Sequence, residues 1–258
     1  MAEARADDLG PTALPCRPAS VPAGQVAAVI DGRTFTLENG REVRLSAIEV
    51  PPLPPAAEPG RDGKAGLAAK TALEALIAGR EVILKRQGAE SDRYGRISAH
   101  AFVPGDGAER SVERELIAQG HARVAARAKS GCAPGLLAAE KAARTAKLGL
   151  WADPYYAMKR AEKPAELLAQ RGRFAIVEGK VLSVRDSGGI IYVNFGRRWS
   201  VDFAVTILKR NERTFTAAGL EPNKLTGREV RVRGWIEERG GPRVEATSPE
   251  QIEVAERN

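Results

Sequence analysis

The sequence predicts a mainly β fold with helices, arranged as two tandem five-stranded barrels. Three observations carry this. An order of three strands, a helix and two strands occurs twice along the chain. The strand-sized runs show period-two apolar alternation between glycine-containing turns. A Pro-, Lys- and Glu-rich stretch over residues 154–173 separates the repeats and reads as a connector. The expected division is an N-terminal arm over 1–24, a first domain over 25–152, a connector over 153–173 and a second barrel over 174–255. With 258 residues, 43% of them hydrophobic, the chain is long enough for two cored domains.

In the first unit, residues 25–30, 34–38 and 42–48 alternate as strands, separated by Asp31-Gly32 and by Asn39-Gly40, a strong hairpin signal. Residues 64–78 then place Leu67, Thr71, Leu73, Leu76 and Ile77 on one helical side, with Gly79 as the stop. Strands follow at 81–85 and 97–103, closed by a turn at Gly105-Asp106-Gly107, and amphipathic helices at 111–119 and 136–148. A short helix at 165–170 lies in the connector. The second unit has strands at 174–184, 190–195 and 200–207, a helix at 209–218, and strands at 229–237, 243–246 and 251–254. Gly188-Gly189 and Gly240-Gly241 mark hairpin turns without a phosphate-loop pattern. The shared order is that of an OB-type barrel.

Three short segments carry the chemistry: Val29-Ile30-Asp31-Gly32-Arg33-Thr34, Arg44-Leu45-Ser46-Ala47-Ile48-Glu49-Val50-Pro51-Pro52, and Asp92-Arg93-Tyr94-Gly95-Arg96. In this arrangement residues 25–152 resemble the staphylococcal nuclease-like (thermonuclease) family, and Gly149-Leu150-Trp151 is similar to the usual end of that domain. The resemblance implies a nuclease-type OB barrel with three helices, a calcium cofactor and phosphodiester hydrolysis of DNA or RNA. The family pattern at the first two segments is Asp-Gly-Asp-Thr and Arg-Leu-x-x-x-Asp-Thr-Pro-Glu. Two aspartates and the Thr carbonyl of that pattern meet the metal, and the Glu is the general base. Here those positions hold Arg33, Glu49, Val50 and Pro52, while Asp31 is retained. The resemblance makes Arg44 and Arg96 a phosphate clamp and places Tyr94, Arg93 and Lys129 as candidate binding residues. Ala125 and Ala126 fall in the loop where the secreted nuclease carries tyrosines, which reduces stacking there.

Calcium wants six to eight oxygen ligands, so losing a carboxylate removes both charge and ligand count. A guanidinium about 4 Å from a divalent ion, at an effective dielectric near 20, repels it by about 8 kcal/mol, which cancels a micromolar affinity. Proline accepts no proton, and general-base assistance is worth a factor of about 10² to 10⁴. The expected outcome is no cofactor, with Arg33 and Glu49 paired across the former metal position. Calcium enters only if Glu58 and Asp62, in the Pro-rich loop over 51–63, restore the ligand set. Arginine suits a phosphate clamp because its planar fork donates two parallel hydrogen bonds. Pairing of Arg44 and Arg96 with acidic neighbours is the plainer alternative.

A net charge of +7 favours polyanionic partners, DNA or RNA. No apolar run reaches the length of a membrane span. Cys16 and Cys132 form either one disulfide, closing a loop of over a hundred residues, or two unrelated thiols. With His100 and His121 they make no zinc pattern, and both histidines read as packing or surface residues. Ala4-Arg5-Ala6 resembles the small-x-small end of a cleavage site, which predicts a periplasmic or secreted protein, a cytosolic one being the alternative. In the second barrel, Arg197, Arg198, Arg231, Arg233, Arg239 and Arg243 interleave with Trp199, Trp235, Tyr192 and Phe195. That composition permits single-strand binding, but core aromatics and solvent-facing arginines explain it more simply. Three functions follow as expectations: a nucleic-acid or phosphate-ester binder with weak or no cleavage, a metal-dependent endonuclease with relocated ligands, and an envelope interaction module.

Overall fold

The computed structural model describes residues 19–54, 63–86, 91–92, 94–105, 108–126 and 133–255. The first unit contains β1 (Ala19–Asp31), β2 (Thr34–Leu37), β3 (Glu42–Leu45), β4 (Ile48–Glu49), α1 (Lys64–Ile77), β5 (Glu81–Arg86), β6 (Ile97–Val103), β7 (Arg110–Ser111), α2 (Val112–Ala118), β8 (Arg123–Val124) and α3 (Ala133–Thr145). Its sheet runs β3-β2-β1-β5-β6, and a parallel pairing of β3 with β6 closes the barrel. β1 serves two neighbours because it is long. Its first half pairs with β5 and its second with β2, with a register shift between Val21 and Gly24. The strand begins at Ala19, inside the stretch expected to be an arm. Phe35, Leu73, Ile77, Leu84, Ile97 and Leu116 are buried in the barrel core.

α1 sits directly beneath the β1–β2 turn, and small residues allow it. A Cβ on Gly32 would lie 2.6 Å from the Ala69 Cβ, and one on Gly66 would lie 2.3 Å from the Pro52 carbonyl oxygen. The buried stripe is therefore Gly66, Ala69, Leu73 and Ile77. Leu67, expected on the apolar side, is 49% exposed. Leu73 and Ile77 are buried as expected, but close approach of the backbone puts Gly66 and Ala69 in the N-terminal half of the stripe in place of Leu67 and Thr71.

The second unit contains β9 (Lys159–Arg160), α4 (Pro164–Leu168), β10 (Phe174–Lys180), β11 (Ser183–Ser187), β12 (Ile190–Asn194), β13 (Ala204–Leu208), α5 (Glu212–Ala217), β14 (Glu229–Trp235), β15 (Glu237–Arg239), β16 (Gly241–Glu245) and β17 (Ile252–Val254). β10 and β11 are one strand broken at residues 181–182, and β14 and β15 are another broken at Ile236. Pairing runs β11-β12-β13-β16-β15 in one sheet and β17-β14-β10-β9 in another, and the two broken strands carry the chain from one sheet into the other. Again the third and fifth strands meet in parallel, here β13 and β16. Two tandem OB-like barrels result, each with a helix between its third and fourth strands. The connector is folded onto the second barrel: β9 pairs in parallel with β10, and Leu167 of α4 is fully buried in that core. Residues 196–203, partly expected as strand, form a turn that exposes Trp199 at 78%.

A third apolar cluster, Ala125, Ala143, Trp151, Phe174 and Ile176, joins the two barrels. Arg233 of β14 crosses this boundary and is fully buried, which corrects its reading as a solvent-facing strand arginine. Its Nη1 donates to the Val124 carbonyl (3.0 Å) and to Glu140 Oε2 of α3 (2.8 Å), and its Nη2 pairs with Glu253. Burying a guanidinium requires such pairing, and the first domain supplies two of these three bonds, while Nε has no partner among the described residues. Among the described residues no helix is long and apolar enough to cross a membrane.

Candidate functional site

The β1–β2 turn, β3, β4 and the turn before β6 converge at one end of the first barrel. Asp31 Oδ1 accepts the Arg33 backbone N–H at 2.8 Å, which fixes the turn. Arg33 Nη1 then reaches Glu49 Oε2 at 2.6 Å and the Ile48 carbonyl at 3.2 Å. Glu49 is buried at 8% exposure, so its charge needs this partner. The ion pair expected from the sequence is present.

Arg44 stands opposite Thr34 on one side and Ser98 on the other. Its side chain makes no hydrogen bond or ion pair with any described residue. Burial holds its pKa below the ordinary value. The positive charges of Arg33 and Arg96 add to this, against the smaller opposing effect of Glu49 and Asp31. An anion placed here would offset the mutual repulsion of three guanidinium groups.

Arg96 is differently placed. Its Nε donates to Asp92 Oδ2 at 2.9 Å and its Nη2 lies 2.8 Å from the same oxygen, with Glu42 Oε1 3.8 Å away. Asp92 Oδ1 also accepts the N–H groups of Tyr94 and Arg96. Desolvation of Asp92 would raise its pKa, but these hydrogen bonds outweigh it and hold the carboxyl below the usual range. The exposed Tyr94 ring lies 4.9 Å from the Arg96 guanidinium. Arg44 is thus the open member of the pair and Arg96 the braced one.

The donors do not fit a calcium ion. The Arg33 guanidinium occupies the space beside Glu49 where the pattern has a second carboxylate, and the Pro52 side chain offers neither ligand nor base. No group of three or more His, Cys, Asp or Glu side chains among the described residues is placed to hold a metal. Arg93, Lys129, Glu58, Asp62, Cys16 and Cys132 lie outside the described residues.

Residues 42–153 match the family model described as Staphylococcal nuclease homologue. The first barrel is a staphylococcal nuclease-like domain. A search of curated proteins finds no match for the chain. Within the nuclease-like domain, Ala125 and Ala126 are buried rather than open on a rim. Ala125 packs in the cluster between the barrels, and the Ala126 carbonyl accepts a hydrogen bond from Ser248 Oγ at 2.9 Å. The second barrel covers that edge.

Sequence reasoning passed over Arg123, which β8 places between two rings. Its guanidinium is 5.4 Å from the Tyr156 ring and 5.1 Å from Phe174. The signal was the aromatic run Tyr155-Tyr156 just past the domain end, read only as connector.

Proposed function

We propose that the protein binds phosphate esters of nucleic acid through Arg44, with Arg96 as a second donor, and does not cleave them by the metal-dependent route of its family. The observation that supports this is the Arg33–Glu49 pair at 2.6 Å, which puts a cation where the family chemistry needs carboxylate. Arg44 beside it is half-buried and carries no ion pair among the described residues. A nuclease-like domain with net basic charge and an open guanidinium retains the phosphate-recognition half of the chemistry.

The test is anisotropy of fluorescent single-stranded DNA and RNA with chelator, beside cleavage assays in calcium and in magnesium. Binding without cleavage is expected. Arg44→Ala should weaken binding about tenfold and lower the salt slope by about one. Metal-dependent cleavage that disappears in Arg44→Ala would overturn the reading, as would binding insensitive to that substitution.

A further inference from the structure

A cleft of about 660 Å³ lies between the nuclease-like domain and the second unit. One wall is the Arg33–Glu49 pair with the apolar segment 50–54, which contributes Val50, Pro51, Pro52, Leu53 and Pro54. The other wall comes from outside the family match: Tyr155 and Lys159 of the connector, with Arg173 and Trp235 of the second barrel. Arg123 also lines it. Its volume falls in the range of small-ligand sites, roughly 300–1,000 Å³.

The lining is sorted by chemistry. Arg33 and Glu49 pair with each other, which leaves Arg123, Lys159 and Arg173 against the single carboxylate Asp31. Arg173 Nη1 donates to the Tyr155 hydroxyl at 2.8 Å, which orients that ring. Trp235 is held edge-on to Phe174 with centroids 6.5 Å apart. Burial, followed by the nearby Arg123 charge, holds the Lys159 amine below its usual pKa against the attraction of Glu166 and Asp153. A bound anion would reverse that penalty.

We propose that this cleft takes one nucleotide unit, with the base between the proline wall and the Tyr155 and Trp235 rings and the phosphate toward Lys159 and Arg123. The inference rests on the phosphate-ester reading above and adds a ligand subsite that the nuclease-like domain does not form alone. Rings and prolines stack flat bases without sequence preference, and the cations supply phosphate attraction.

Calorimetric titration of the full chain with adenosine 5′-monophosphate, adenosine and inorganic phosphate tests it. The monophosphate should bind at least about tenfold more tightly than either part. Lys159→Glu and Trp235→Leu should each remove about tenfold of that affinity while leaving inorganic phosphate at Arg44 unchanged. Lys159 is only partly buried in the two-residue β9, its Nζ donating to the Tyr155 carbonyl at 2.9 Å, so its variant keeps the test valid if Trp235→Leu fails to fold. Monophosphate binding no tighter than phosphate, or unchanged in Lys159→Glu, would overturn the cleft and leave the Arg44 reading standing. Phosphate binding unaffected by Arg44→Ala would overturn that reading by itself. Competition by a 5′-phosphorylated pentanucleotide assigns the occupant to a strand end; displacement by the mononucleotide alone assigns it to a free nucleotide.

Discussion

At the scale of single residues, one substitution in sequence becomes a contact that holds two elements together. Arg33 joins the β1–β2 turn to β4 through Glu49, whose side chain is 10% exposed. Arg33→Ala leaves that carboxylate buried without its cation and should cost about 3 kcal/mol, read from urea unfolding. Arg33→Asp combined with Val50→Thr and Pro52→Glu should instead make calcium stabilising, seen as a rise in melting temperature that chelator reverses. The identity of these positions was legible in the motifs, and so was their pairing, because opposite charges had replaced like ones. What the sequence did not reveal is that Arg96 is bound by Asp92, four residues before it, while Arg44 is open. A second ion pair makes a pH prediction. His100 is buried and its Nδ1 lies 3.2 Å from Glu113 Oε1. Burial disfavours the imidazolium, but the hydrogen bond and charge of Glu113 outweigh it and raise the pKa above the ordinary 6.5. The folded state therefore holds this proton more tightly than the unfolded chain. The stabilisation is full below about pH 6.5 and is lost as pH rises through the raised folded value. Urea titrations of the protein and His100→Asn should differ most below pH 6.5 and converge on the alkaline side.

At the scale of elements, α1 and α3 show what periodicity conveys and what it leaves out. Helical spacing located α1, but its contact face turns on Gly66, which lets the Pro52 carbonyl approach. Gly66→Ala should destabilise by about 1–3 kcal/mol despite the better helix propensity of alanine, since backbone must move. The same change at Gly135 of α3 meets nothing within 4 Å and should stabilise by about 0.4–1 kcal/mol. Thermal melts of the two variants should move in opposite directions. In α3 the buried positions are Ala133, Leu136, Glu140 and Ala143, a three-four-three spacing with an acid in the apolar stripe. That acid was a readable sign of a buried cationic partner, because an unpaired carboxylate there would be prohibitively costly. Which arginine answers it was not readable, since Arg233 is 93 residues away in sequence.

At the scale of the whole molecule, the buried arginine makes the two barrels one structural unit. Both barrels were legible from their strand order, but the packing of β9 and α4 onto the second barrel and the docking of the two barrels depend on contacts that composition does not convey. Glu140 carries two duties: Oε1 accepts the Val124 N–H at 2.7 Å and Oε2 accepts Arg233 Nη1 at 2.8 Å. Arg233→Met removes the cation shared by Glu140, which is 1% exposed, and Glu253, and leaves Glu140 only the more distant Arg144 at 3.9 Å, so a loss of about 3 kcal/mol is expected. Adding Glu140→Gln removes the stranded charge while keeping an acceptor for the Val124 N–H. The double variant should therefore be more stable than Arg233→Met alone, with a coupling of about 0.5–3 kcal/mol. Trp151 lies in the cluster between the barrels and Trp235 packs against it, so tryptophan fluorescence reports on their docking. In the unaltered protein that signal and far-UV circular dichroism should melt together. In Arg233→Met the fluorescence transition should come first, because the interface loses its charge pairing while each barrel keeps its own apolar core. Coincident melting in that variant would mean that the apolar cluster alone couples the barrels, leaving the ion pairs to set orientation rather than cohesion.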